Sequence, residues 1–158
     1  MKILFRVDAS NIIGTGHFMR CLSLGIALQE KNIKSLFVIR NPSKDFKNIM
    51  TSSGYNFITL TDNRNSKSSV KNHLYHSDWL DVSQEIDAKD TLGIVYEYKP
   101  DWIVVDHYAL DRTWHEIIKN KCRNIMVIDD LGDRYLDCKI LLDQNLNTDK
   151  KKYEGKIP

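Results

Sequence analysis

The sequence has few of the residues that stabilise disulfide-rich or metal-bound small domains. Its three cysteines, Cys21, Cys122 and Cys138, lie far apart, and none forms a C-x-x-C pair. This spacing disfavours a disulfide framework or a zinc site and is typical of free thiols in a reducing compartment. No stretch approaches the roughly 18 apolar residues of a membrane span, and the apolar run before Arg6 and Asp8 is too brief for a signal peptide. We therefore expect a cytoplasmic protein without a membrane partner.

A strong excess of one charge is also missing. The chain has 23 Lys and Arg residues against 21 Asp and Glu, which gives a net charge of +2. Bulk charge therefore does not favour a nucleic-acid partner. With 42% apolar and 28% charged residues, the composition is that of an ordinary globular chain, and its length suffices for a single domain with one core.

Apolar runs alternate with helical patterns along the chain. Strands are predicted at residues 2–7, 33–40, 55–60, 101–106, 124–129 and 139–142, and helices at residues 17–31, 45–53, 84–98 (or 90–98) and 112–121. Residues 61–71 are polar, which predicts a loop, and the segment around Trp79 fits neither pattern. Strands separated by helices form parallel βαβ units. The predicted fold class is therefore α/β, a Rossmann-like doubly wound parallel sheet.

Polar clusters follow the ends of three predicted strands. They are residues 8–20, Asp106-His107-Tyr108 and Asp129-Asp130. In a doubly wound sheet, ligands bind beyond the carboxyl ends of the strands. The coincidence of three clusters at one edge predicts a binding site there.

The segment Gly14-Thr15-Gly16-His17 is the strongest single signal. Two glycines allow a tight turn before a helix, whose exposed N–H groups and dipole favour an anionic ligand. The same field disfavours a positive charge on His17, which leaves the ring able to accept a proton. The alternatives are an incidental histidine after a glycine turn, or a dinucleotide loop. The G-x-G-x-x-G fingerprint is incomplete, however, because Met19 occupies its last position.

Two further clusters carry acids, a base and a phenol. Asp106, His107 and Tyr108 could contact a substrate, or they could cap a turn, donate to the backbone and pack. Asp129 and Asp130 point to opposite faces of an extended chain, so at most one of them faces a given site. No third ligand lies at a regular metal spacing, and we expect no metal.

The residues around the unassigned segment are ambiguous. Trp79 is most simply a packing residue, but the acidic residues near it would suit stacking on a sugar and contacts to its hydroxyl groups. His73 and His76 are three residues apart, as two ligands on one helix face would be. Their Asn- and Ser-rich surroundings instead predict solvated loop histidines.

The sequence also carries an ordered series of motifs. These are Arg6-Val7-Asp8, the G-x-G-H-x-x-R-C run at residues 14–21, Asp78-Trp79-Leu80, Val105-Asp106-His107-Tyr108, Ile128-Asp129-Asp130-Leu131 with Asp133-Arg134, and Leu142-Asp143-Gln144-Asn145. The series resembles the UDP-sugar hydrolases of the pseudaminic acid pathway, which are UDP-2,4-diacetamido-2,4,6-trideoxy-β-L-altropyranose hydrolases. It is similar, more distantly, to the N-terminal domain of the peptidoglycan lipid-linked N-acetylglucosaminyltransferase.

The resemblance implies a GT-B architecture of two Rossmann-like domains, with the active site in the cleft between them. Residues 1–145 would form the N-terminal catalytic domain. Residues 146–158 would be a polar tail or the start of a linker to a C-terminal UDP-binding domain that is missing from this chain.

The resemblance also implies the reaction, which is hydrolysis of the UDP-sugar to UDP and the free sugar without metal or other cofactor. Water would attack the anomeric carbon with inversion, and His17 would take its proton. From its position alone, Asp8 is predicted to orient His17. The candidate substrate-binding residues are Gly14, Thr15, Gly16, Arg20, Trp79, Asp106, His107, Tyr108, Asp129 and Asp130. A GT-B glycosyltransferase that uses a UDP-sugar and a non-catalytic sugar-binding module remain as alternatives.

Overall fold

The structure, a computed structural model, describes residues 1–10, 12–60 and 74–158. Its strands are β1 (Lys2–Val7), β2 (Lys34–Arg40), β3 (Phe57–Leu60), β4 (Trp102–Asp106), β5 (Ile125–Ile128) and β6 (Ile140–Leu142). Its α-helices are α1 (Gly16–Gln29), α2 (Lys44–Ser53), α3 (Gln84–Tyr98) and α4 (Arg112–Lys119), and short 3-10 helices lie at Ser77–Trp79 and Lys150–Tyr153. Every predicted strand and helix is present. The loop predicted at residues 61–71 lies outside the described residues.

The six strands form one parallel sheet in the order β3-β2-β1-β4-β5-β6. The chain moves outward from β1 to β3 and then returns to place β4 on the other side of β1. This arrangement confirms the predicted Rossmann-like sheet. The carboxyl ends of β1 and β4 flank the point where the strand order reverses, which is where such sheets bind ligands.

The helix ends follow local capping rules. Side-chain oxygens of Ser43, Ser83 and Asp111 accept hydrogen bonds from backbone N–H groups in the first turns of α2, α3 and α4. The cap at Ser83 means that α3 begins at the earlier of the two predicted positions. Helix α2 ends at Gly54 in the left-handed conformation, with φ of 71°, as expected for glycine after a helix.

Alternation along the strands divides the core into two layers. Phe5 and Val7 of β1 pack on the face covered by α1 and α2, whereas Leu4 packs on the opposite face with residues of α3 and α4. Arg6 shares the face of Leu4 because side chains two apart in a strand point the same way. A fully buried guanidinium therefore lies between the sheet and α3.

The C-terminal residues include a short 3-10 helix that contacts the sheet. The 3-10 helix Lys150–Tyr153 packs against the sheet edge, and Tyr153 is buried. Its hydroxyl donates to the backbone oxygen of Asp129 at 2.8 Å, and the ammonium group of Lys152 lies 2.6 Å from Asp143. These two side chains reach acceptors that follow β5 and β6, whereas most residues of this segment are exposed. The boundary after residue 145, with a polar tail or the start of a linker beyond it, stays a prediction.

Candidate functional site

Strand β4 and helix α1 bring the central group of the site together. Asp106 ends β4, and alternation turns its side chain toward α1, on the face that also holds Val104. Oδ1 of Asp106 lies 2.6 Å from Nδ1 of His17. Arg20 donates to both oxygens, from Nε and from Nη2, at 2.5 Å each. Two residues one helical turn apart thus share a single buried carboxylate.

The contact with Asp106 fixes where His17 carries its proton. Burial acts to raise the pKa of Asp106, but hydrogen bonds from Arg20 and His17 outweigh it and hold that pKa below its ordinary value. An ionised carboxylate only accepts hydrogen bonds, so Nδ1 of His17 is the donor. In the neutral ring, Nε2 then has the free lone pair that can accept a proton. With 11% of its side-chain surface exposed, His17 is accessible from outside.

The turn before α1 is exposed and open to a ligand. Gly14 has φ of +78°, and its N–H donates to the backbone oxygen of Ser10 at 2.8 Å. Gly16 begins the helix and does not need a left-handed conformation. Thr15 is the N-cap, but its side chain accepts no hydrogen bond. The N–H groups of the first turn of α1 are therefore available to an anionic group beside His17.

An aromatic wall, formed by Trp79, Tyr108 and His76, lies beside His17. The Tyr108 ring meets His17 edge-on, with centroids 4.5 Å apart, and Trp79 lies 5.6 Å from His17. Trp79 and Tyr108 stack at 5.4 Å, and His76 packs against both at 4.4 and 5.3 Å. Such a surface suits the apolar face of a sugar ring.

The side chains of Asp129 and Asp130 point in opposite directions from the chain that follows β5, as alternation predicts. The hydroxyl of Tyr108 donates to Asp130, and burial together with that bond raises the pKa of Tyr108 above its ordinary value. Gln144 also donates to Asp130, at 3.1 Å. Asp129 instead pairs with Nη1 of Arg134 at 2.7 Å. Asp130 therefore contacts the aromatic wall directly, whereas Asp129 reaches it only through Arg134, whose guanidinium lies 5.5 Å from the centroid of the Tyr108 ring.

Asp8 does not contact His17. It forms hydrogen bonds with Arg6, and its Oδ2 lies 3.0 Å from Nε2 of His107. Burial acts to raise the pKa of Asp8, but Arg6 and His107 hold it well below its usual range. The prediction that Asp8 orients His17 is wrong, because Asp8 continues the face of Arg6 and α1 covers the other face. Asp106 makes that contact instead.

His107 lies beneath the surface of the site, where it contacts other residues of the protein. Its Nδ1 accepts the N–H of Ala109 at 3.1 Å, so Nε2 carries the ring proton and faces Asp8. His107 is buried, as are Asp106 and Asp129. Each of the three side chains contacts another residue of the protein, and direct contact of these side chains with a substrate stays a prediction.

A buried ion-pair network behind the strand ends was not predicted. Arg6 donates to both oxygens of Asp87 on α3, at 3.0 and 2.7 Å. Arg40 and the indole N–H of Trp114 also donate to Asp87, at 2.8 and 2.9 Å. An arginine inside an apolar strand was the available signal, but Asp87, one of its two carboxylate partners, lies 81 residues away.

His76 was also missed as a site residue. It is half-buried in the aromatic wall, and burial lowers its pKa, so the prediction of a solvated histidine is wrong for this position. The polar residues next to it in the chain gave no signal of that contact. His73 lies outside the described residues.

A small cavity of about 120 Å³ lies between the aromatic wall and the ends of β1 and β2. The residues that line it include Asp8, Arg40, Asn41, Asp78, Trp79 and Asp81. Asn41 donates to Asp81 at 2.8 Å. Carboxylate oxygens beside an indole are acceptors for the hydroxyl or amide N–H groups of a substrate.

Two features are absent from the described residues. Across residues 1–10, 12–60 and 74–158, no group of three or more His, Cys, Asp or Glu side chains is arranged to hold a metal ion. No helix in this part of the chain combines the length and apolarity needed to cross a bilayer.

Comparisons with known proteins support the fold. No protein-family model matches the chain. The chain is 22% identical over 129 residues to an uncharacterized protein of Methanocaldococcus jannaschii, a match that covers 82% of this chain and 22% of that protein. It is also similar to the crystal structure of a UDP-GlcNAc 2-epimerase from Neisseria meningitidis bound to UDP-GlcNAc, with a TM-score of 0.52 and 15% identity, over 85% of this chain and 33% of that one. The chain therefore spans about a fifth of the curated relative and a third of the epimerase, and at this identity the likeness is one of fold.

Proposed function

We propose that this chain carries the catalytic residues of a UDP-sugar hydrolase, with His17 as the general base. The observation that carries the proposal is the contact between Asp106 and Nδ1 of His17, which leaves Nε2 able to accept a proton. The site lies at the carboxyl edge of β1 and β4, where Rossmann-like sheets bind ligands. The ordered motifs resemble those of UDP-2,4-diacetamido-2,4,6-trideoxy-β-L-altropyranose hydrolases, and this UDP-sugar is the substrate we propose.

The site offers a group for each part of such a substrate. The open N–H groups at the start of α1 and the guanidinium of Arg20 provide positive potential for the diphosphate. The aromatic wall provides a surface for the sugar ring. The cavity lined by Asp78 and Asp81 provides acceptors for the N–H groups of the sugar's acetamido substituents. We assign the uridine contacts to a second domain outside these residues.

The proposed step is a single displacement at the anomeric carbon. The water oxygen forms a bond to that carbon while the bond from the carbon to the diphosphate oxygen breaks, and its electron pair leaves with UDP. The water proton passes to Nε2 of His17, and Asp106 stabilises the resulting imidazolium. A positioned base of this kind contributes about 10²–10⁴-fold to the rate. Inversion follows because water attacks opposite the leaving group.

The test is His17→Asn in the full-length protein, with UDP release measured against substrate concentration. We expect kcat to fall by at least about 10²-fold with an unchanged melting temperature. Asparagine is preferred to alanine because the space left by alanine could admit a compensating water. A kcat within a few-fold of the wild-type value would show that His17 is not the base.

The same assay separates the alternatives. A glycosyltransferase of this architecture would release UDP only when an acceptor with a free hydroxyl group is supplied. A non-catalytic sugar-binding module would release none under any condition, and His17→Asn would change only its affinity for the sugar. We expect UDP release in the wild type without any acceptor.

A further inference from the structure

The C-terminal 3-10 helix Lys150–Tyr153 contacts the chain directly behind the site. Strand β5 ends at Ile128 and β6 at Leu142, so Asp129 and Asp130 continue beyond the last paired strands. The N–H of Asp129 donates to the backbone oxygen of Leu142 at 3.0 Å. Buried backbone oxygens past that bond need other donors.

The 3-10 helix supplies those donors from two adjacent side chains. The hydroxyl of Tyr153 donates to the backbone oxygen of Asp129 at 2.8 Å. The ammonium group of Lys152 donates to the backbone oxygen of Asp130 at 2.8 Å. Both side chains also contact Asp143, at 3.1 and 2.6 Å, and that carboxylate follows β6.

The same 3-10 helix also packs against the turn that follows Asp130, where Lys152 lies close to Gly132. Gly132 has φ of +63°, and a Cβ atom added there would lie 2.8 Å from Cγ of Lys152 and 3.1 Å from its backbone oxygen. Glycine at this position lets Lys152 approach the turn. The N–H of Gly132 donates to Oδ2 of Asp129, so one turn receives contacts from both sides.

Asp130 links this region to the proposed base. Its carboxylate accepts from the hydroxyl of Tyr108, and the ring of Tyr108 meets His17 edge-on with centroids 4.5 Å apart. His17 is therefore held in its ring plane by Asp106 and across its ring by Tyr108. A displacement of Asp130 would therefore move Tyr108 relative to His17 and leave the hydrogen bond between Asp106 and His17 intact.

We propose that Lys152 and Tyr153 are positioning residues of the site, which fix Asp130 and through it the ring of Tyr108 against His17. The activity readout of this proposal rests on the proposed function. The packing readout does not, because it measures the ring of His17 directly.

The first experiment measures the ring protons of His17 by NMR in full-length protein. Lys152→Met keeps the alkyl chain and removes the ammonium donor, and Lys152→Arg restores a donor. Lys151→Met is the matched control, since Lys151 is exposed in the same 3-10 helix. We expect Lys152→Met to shift the His17 ring protons through the ring current of Tyr108, Lys152→Arg to restore them, and Lys151→Met to leave them unchanged.

The second experiment measures UDP release by the same variants and by Tyr153→Phe. We expect kcat of Lys152→Met to fall by about tenfold, because displacing a catalytic group by a fraction of an ångström misaligns it. KM should stay within about twofold, as expected when ground-state binding is retained. Lys152→Arg should recover most of the loss. Gly132→Ala should reproduce the effect by displacing Lys152.

The outcomes separate the two proposals. If the wild type releases no UDP, the hydrolase assignment fails, and the NMR comparison still decides whether Lys152 positions His17. If the His17 ring protons have the same chemical shifts in Lys152→Met as in Lys151→Met, the positioning role is overturned, whatever the activity. Equal losses of kcat in Lys152→Met and Lys152→Arg would also overturn it, because a restored donor would then have no effect.

Discussion

The substitution Asp106→Asn tests the hydrogen bond on which the proposed mechanism depends. Asp106 accepts from Nδ1 of His17 at 2.6 Å. An asparagine of the same shape can turn its NH₂ group toward Nδ1, and Nδ1 must then be the acceptor. The ring proton moves to Nε2, and the atom that should accept the proton of water already carries one.

The magnitude follows from the role of the base. Loss of a positioned base costs about 10²–10⁴-fold, and the equivalent change behind the histidine of serine proteases costs about 10⁴-fold. We expect a fall of kcat in this range, with KM changed little. Because the side chain of Asp106 is fully buried and pairs with Arg20, the substitution should also cost stability, by up to about 3–5 kcal/mol. Thermal unfolding of the variant checks that it is folded at the assay temperature.

The assay is UDP release with Asp106→Asn and with a matched control at the other end of β4. Asp101 is exposed and precedes the strand, where it accepts from the N–H of Lys2 at 2.7 Å, far from His17. Asp101→Asn should therefore retain full activity. Nitrogen chemical shifts of the His17 ring report which nitrogen is protonated. A kcat for Asp106→Asn within about threefold of the wild type, or a ring proton still on Nδ1, would refute the reasoning.

Three further predictions concern stability. Burial and nearby cations lower the pKa of His115 to about 3 from an ordinary 6.5, so the unfolded chain takes up a proton that the folded chain does not, and stability falls as pH drops below about 6.5. Between pH 6.5 and 5, the wild type should lose about 2 kcal/mol more than His115→Gln in urea unfolding, and parallel curves would contradict this. Arg6→Met leaves two buried carboxylates without a cation that pairs with both, and it should lower the free energy of unfolding by about 3–5 kcal/mol. The control Arg112→Met removes one partner of an exposed pair and should cost under about 1 kcal/mol. Similar losses of stability in the two variants would refute the buried network. Gly14→Ala should cost about 1–2 kcal/mol of stability because Gly14 has a positive φ. Gly16→Ala, in helix α1, should be neutral or stabilising. A lower melting temperature for Gly16→Ala than for Gly14→Ala would contradict the conformation of this turn.

Most of the fold could be predicted because its signals are local. Apolar runs mark the strands, Ser and Asp caps mark the helix starts, and Gly54 marks the end of α2. The parallel order then follows from the alternation of strands and helices. The contact of the C-terminal 3-10 helix with the sheet could not be predicted, because it depends on the single buried ring of Tyr153. Three lysines precede that ring and make the segment polar on average.

The residues of the candidate site could be listed from the sequence, but the contacts between them could not be predicted. The edge of the sheet and the residue His17 follow from local pattern, whereas the partner of His17 lies 89 residues away. Nearness along the chain favoured Asp8, and the alternation rule, applied to β1, would have excluded it. The same rule separates Asp106 from His107, which point to opposite faces of the sheet.

The buried Arg6 has a consequence for how the chain folds. Its guanidinium pairs with Asp87, which lies on α3, 81 residues later. In a partly folded chain with only β1, β2 and β3 paired, Arg6 would keep Asp8 but lack Asp87. The apolar side chains that α3 and α4 cover on the same face would remain exposed to water. We expect such an intermediate to be too unstable to accumulate, so that the two halves of the sheet form in one cooperative transition. The edge that carries His17 then forms only together with the strand that carries Asp106.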